Sequence, residues 1–100
     1  MVTAIIEVKV TLEAGLSYSD IAKVIAQFKE VETVYLTSGK HDFTIIVNCA
    51  DMKQVGLFVA TKLSTINGVE SVSTHFIMER YKQSGEILDV DDDDRGIFTV

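Results

Sequence analysis

The chain has 100 residues, 47% of them apolar and 24% charged, with no Pro, no Trp and one Cys. This is the composition of one globular domain, too small for two cores and too apolar for a disordered chain. The net charge of −6 argues against direct nucleic-acid binding, which needs a basic footprint on the phosphates. The acidity is uneven: residues 86–100 hold six acids and one base, while residues 1–85 hold nine acids and eight bases. No apolar run approaches the ~20 residues of a membrane helix. Glu7 and Lys9 interrupt the first ten residues too early for a signal peptide. A lone Cys49 cannot close an internal disulfide, so a reducing cytoplasm is the expected setting.

Residues Thr3 to Leu12 alternate, with Ile6, Val8, Val10 and Leu12 on one side and Glu7, Lys9 and Thr11 on the other. Period two predicts a half-buried strand. Glu13-Ala14-Gly15 breaks it, and the Ser17/Asp20 spacing predicts a capping box that opens a helix. Ile21, Val24, Ile25 and Phe28 then form the apolar face of that helix. Val31 to Thr37 reads as a second strand, Ser38-Gly39-Lys40-His41 as a turn, and Phe43 to Cys49 as a third strand. Asp51 with Gln54 opens a second helix, whose apolar face is Val55, Phe58, Val59, Leu63 and Ile66. Asn67-Gly68 closes it with Gly as a left-handed cap. Val69 to Arg80 reads as a fourth strand, with Val72, Thr74, Phe76 and Met78 on one face.

The order β-α-β-β-α-β predicts an α+β domain of ferredoxin-like topology, with an antiparallel sheet and both helices on one face. Val31-Glu32-Thr33-Val34 and Val69-Glu70-Ser71-Val72 repeat the same pattern after each helix, which supports two similar halves. The other sheet face would carry Ile5, Tyr35, Ile46 and Ile77 among Thr33, Thr44 and Ser73, a mixed surface suited to pairing with a second copy. The domain is placed at residues 1–83. Residues 84–100 read as an acidic tail with a like-charge run, Asp91 to Asp94, and a strand-like end, Ile97 to Val100, that would add an edge strand.

The densest polar cluster of the body is Thr37 to Asp42 at a hairpin tip. Gly39 would let backbone N–H groups approach a carboxylate, and Asp42 would accept from an ammonium. The same residues equally serve a plain turn, with Gly39 for its geometry and Asp42 capping the backbone. His41 and His75, with Cys49, Glu79 or Asp42, show no metal-ligand spacing. The acidic run lacks the Gly and terminal Glu of a calcium loop. No nucleophile–base pair, phosphate loop or paired carboxylates occur in the body, and no cofactor is implied.

Thr37-Ser38-Gly39-Lys40-His41-Asp42-Phe43, then Ile66-Asn67-Gly68-Val69, then Thr74 together resemble the effector-sensing (RAM) domain of the Lrp/AsnC transcription regulators. The resemblance covers roughly Val2 to Lys82. It implies a fold of the dimeric α+β barrel type, a dimer through sheet faces that assembles into octamers or decamers, and an amino acid or similar metabolite bound where dimers meet. By position it makes Gly39, Lys40, His41, Asp42 and Thr74 the ligand-binding residues. Two features depart from the family pattern. Val72 stands where the family carries the first Thr of Thr-x-Thr, and the chain begins at the first strand with no helix-turn-helix before it. The expectation is a non-enzymatic, stand-alone sensing module, with itself, an amino acid and a DNA-binding relative as partners, and neither nucleic acid nor membrane bound directly. Two other readings stay open. One is a small dimeric barrel enzyme, monooxygenase- or isomerase-like, using His41, Asp42, His75 and Tyr35. The other is an ACT-like module with its ligand at Glu13 to Leu16.

Overall fold

The structure, a computed structural model, describes residues 1–88. The elements are β1 (Val2–Val10), α1 (Tyr18–Ala26), β2 (Val31–Leu36), β3 (Phe43–Cys49), α2 (Met52–Phe58), which continues as a π-helical turn (Val59–Leu63), β4 (Val69–Phe76), β5 (Lys82–Gln83) and β6 (Glu86–Ile87). Strands β2-β3-β1-β4 form one sheet whose neighbours are all antiparallel. This is the ferredoxin-like order expected from the sequence. The proposed acidic run and terminal strand lie outside the described residues.

Alternation decides which side chains are buried. Ala4, Ile6, Val8 and Val10 of β1 and Phe43, Ile45, Val47 and Cys49 of β3 all join the core. They pack against Ile21 and Ile25 of α1 and Val55, Phe58 and Leu63 of α2 and its π turn. Each buried Val, Leu, Ile or Phe among them stabilises the fold by about 1.5–3 kcal/mol relative to exposure. Phe28 and Phe58 meet edge to face at 5.6 Å and tie the end of α1 to α2.

Local signals set the helix starts. The Ser17 hydroxyl accepts from Asp20 N and the Asp20 carboxylate accepts from Ser17 N, the capping box read from the sequence. That contact also holds the Asp20 carboxyl below its usual range, mainly through the Ser17 N–H. Asp51 caps α2 by accepting from Gln54 N at 2.8 Å. Gly68 follows the second helix at φ +96°, and a Cβ there would sit 3.2 Å from Ile21 Cδ1 and 3.3 Å from Thr11 O. Close approach and backbone hand thus both select glycine at this position.

Several details differ from the sequence reading. β1 ends at Val10 rather than Leu12, which is exposed, because the chain leaves the sheet where Thr11 N donates to Gly68 O. β4 ends at Phe76 rather than Arg80: its ladder with β1 closes at the Ala4–Phe76 pair, with one further bond from Ile77 N to Thr3 O. Met78 is therefore 82% exposed. Val24, expected on the buried face of α1, is also exposed.

The last two differences concern local backbone. In α2 the core positions Phe58 and Leu63 are five apart, and the Ser64 N to Val59 O bond of 2.8 Å closes the wide turn that puts both inward. Across the 83/84 boundary, Lys82–Gln83 pairs with Glu86–Ile87 about a Ser84-Gly85 turn with both residues at positive φ, a small hairpin the composition did not signal.

Candidate functional site

The hairpin between β2 and β3 is closed by Thr37 N donating to Asp42 O at 2.8 Å. Gly39 takes φ +108°, a conformation that L side chains rarely adopt, in open space. Lys40 is exposed beside it. Asp42 anchors the loop to β1: its N–H donates to Val8 O at 2.9 Å, and its Oδ2 accepts from Val10 N at 2.8 Å. Its Oδ1 lies 3.4 Å from the Tyr18 hydroxyl at the start of α1. The Asp42 carboxylate is thus committed to backbone and to the helix-covered side.

His41, one residue earlier, belongs to the opposite side. Its Nδ1 lies 3.0 Å from Glu7 Oε2, and His75 Nε2 lies 3.4 Å from Glu7 Oε1. Ser73 Oγ is 3.2 Å from the same His75 nitrogen. Residues from β1, β4 and the hairpin loop therefore converge on Glu7, on the face that no helix covers. Sequence reasoning named both histidines but missed Glu7. Its place in the alternation of β1, opposite the core residues Ile6 and Val8, was the available signal. Among the described residues no group of three or more His, Cys, Asp or Glu side chains could hold a metal ion.

Thr74 sits opposite Ile6 on β4, which puts it on the helix-covered face and away from His41. The five expected ligand residues are therefore not gathered within one chain. Gly39, Lys40 and His41 form the loop tip, Asp42 holds it down, and Thr74 lies on the far edge strand. The enzyme alternative has the same geometry against it, since Asp42 faces away from the two histidines.

Around Glu7 the open face continues in register. Ile5 stands opposite Ile46 and His75, Glu7 opposite Thr44 and Ser73, Tyr35 opposite Thr44 and Thr33 opposite Ile46. Tyr35 is 55% exposed. At the other end of β3, Thr3 Oγ1 donates to Asn48 Oδ1 at 2.6 Å, and Asn48 Nδ2 donates to Glu32 Oε2. The face is an aliphatic and aromatic band between two polar networks.

A second concave region lies on the helix side, where a cleft of about 600 Å³ is bounded by the α1–β2 turn, the end of β3 and α2. Lys62 Nζ donates to Glu30 Oε2 at 2.7 Å on its wall. That bond, working against burial, holds the Glu30 carboxyl below its usual range. Glu30 Oε1 is buried with no hydrogen-bond partner among the described residues. Leaving an acceptor in that state costs about 1–3 kcal/mol. Burial pushes the Cys49 thiol up, with the Glu30 and Asp51 carboxylates adding to it, so Cys49 is a core residue and a poor nucleophile.

Among the described residues no helix is long and apolar enough to cross a membrane. Residues 3–87 match the family model for the Lrp/AsnC ligand binding domain. An uncharacterised HTH-type transcriptional regulator of Bacillus subtilis, YugG, is 44% identical over 96% of this chain, which spans 58% of that relative's length. A hypothetical protein of Pyrococcus horikoshii has a solved structure with TM-score 0.65 and 25% identity, matched over 81% of this chain and 94% of its own. The solved transcriptional regulator of Neisseria meningitidis in complex with L-Met superposes with TM-score 0.76 at 21% identity, over 87% of this chain and 56% of its own, a likeness of fold. The matched region is a regulatory ligand-binding unit, and the enzyme reading is set aside. The chain belongs to the Lrp/AsnC family, of which it carries the ligand binding domain.

Proposed function

We propose that this chain is an amino-acid-sensing and assembly module of the cytoplasm that works through a DNA-binding relative. Its open sheet face pairs two copies, the dimers assemble further into an octamer or decamer, and the ligand sits where the 38–42 loops of neighbouring dimers meet. The observation that carries this reading is the division of labour on the sheet. Asp42 fixes the loop from the helix side, leaving Gly39 and Lys40 at the exposed tip and His41 on the open face beside Glu7. Ile5, Ile46 and Tyr35 meanwhile lie on a face with no helix over it. The relative solved with L-Met supports an amino acid as the ligand class. Thr74, on the helix-covered face and away from the loop within one chain, contributes only through a neighbouring copy.

A ligand that binds only the assembled form stabilises it by mass action, so sensing and assembly are linked. Thermal melts of the full chain against the standard amino acids test this. At least one should raise Tm in the wild type, and His41→Ala or Gly39→Ala should abolish that rise. If no amino acid moved Tm, the sensing reading would fail.

A further inference from the structure

The cleft under α2 lies at the opposite end of β3 from the 38–42 loop, about 20 Å away at ~3.3 Å per residue. Three independent features meet in it. Its volume, about 600 Å³, falls in the range of small-molecule sites. Its wall holds both members of a charged pair, of which Lys62 has given one of its three ammonium donors to Glu30 and is 39% exposed. The Glu30 carboxylate has one oxygen without a partner among the described residues. The π turn is the third feature. The turn, closed by Ser64 N donating to Val59 O, runs along the cleft and carries Thr61 and Lys62 on its wall. Such turns recur at functional sites.

We propose that this cleft is a second binding site, taking a small zwitterion with its ammonium on Glu30, its acceptor end on Lys62 and its apolar part against Leu57. A carboxylate oxygen accepts more than one hydrogen bond, so Glu30 Oε2 can take the ligand's ammonium beside Lys62 Nζ. Lys29 and Asp51 keep the rim neutral overall, which suits a ligand bearing both charges. The site is built within one chain and stands whether or not the loop senses an amino acid.

Hydrogen exchange of the full chain tests it, with glycine, L-valine and L-leucine as zwitterions and isoamylamine and isocaproate as half-charged controls. At millimolar concentration at least one zwitterion should protect residues 48–62, while neither control does. Glu30→Gln and Lys62→Met should each weaken that protection about ten-fold or more, the loss expected for one charge-assisted hydrogen bond. Gln54→Trp, at an exposed position on the rim, should block it without touching the pair. None of the three should alter the response of residues 37–43. Protection confined to 37–43 would leave only the loop site and overturn the proposal. So would equal protection by isocaproate and isoamylamine, or none by any zwitterion, which would mean that water alone serves Glu30.

Discussion

The two faces of the sheet use alternate residues of the same strands for opposite ends. On the helix-covered face, Ile6, Val8, Ile45 and Val47 are fully buried. One step along each strand, Ile5, Glu7, Thr44 and Ile46 are only half-buried and mix apolar with charged groups. The first face is finished within one chain. The second has the chemistry of a surface awaiting a partner. Neighbouring isoleucines of β3 therefore differ in kind: Ile45 stabilises the fold, and Ile46 lies on the face that the proposal assigns to assembly.

Truncation of the covered face should do the most damage. Ile45→Ala should lower unfolding free energy by about 2–5 kcal/mol in denaturant titration, because it removes buried methyl groups and leaves a cavity. Gly68→Ala, which forces a Cβ into a left-handed backbone against Ile21 and Thr11, should cost about 1–2 kcal/mol or more. Ser17→Ala removes one half of the capping box of α1 and should cost about 1 kcal/mol. Ile46→Asp, on the open face, should change the stability of the isolated chain by only about 0.5 kcal/mol. It should nonetheless reduce the mass seen by light scattering. A large stability loss from Ile46→Asp with no change of mass would erase the contrast between the faces.

Acid should reveal the Glu30 carboxylate, held by Lys62 on the covered side. The folded Glu30 carboxyl is depressed by Lys62, so its contribution is present above the unfolded value near 4.3 and is lost as pH falls through the folded value. Lys62→Met should flatten that limb of the stability curve below about pH 4.5. An unchanged acid limb would show that the pair adds nothing to the fold.

Much of this was legible because alternation and capping are local. Phe43 to Cys49 shows its period in seven residues, and its bounds were found from sequence. Ser17/Asp20 act within three residues, and the positive φ of Gly68 closes the helix just before it. The failures are where a distant partner decides. β4 stops where β1 ceases to pair with it, which nothing in residues 77–80 announces. The apolar face of α2 placed Leu63 in the core correctly, but nothing in that pattern announced the π turn that carries it there. The loop was read as one cluster, yet successive residues point to opposite sides. Asp42 therefore went to β1 and His41 to Glu7, a residue 34 positions away that the loop sequence does not name.

The most direct measurement is the mass of the full chain in solution, by light scattering, with and without each standard amino acid. A multiple of dimers that shifts with at least one amino acid, and falls to the single chain in Ile46→Asp, is the result expected of a module that assembles through its open face and senses at its loop. A single-chain mass, or an assembly indifferent to every amino acid and to Ile46→Asp, would contradict it.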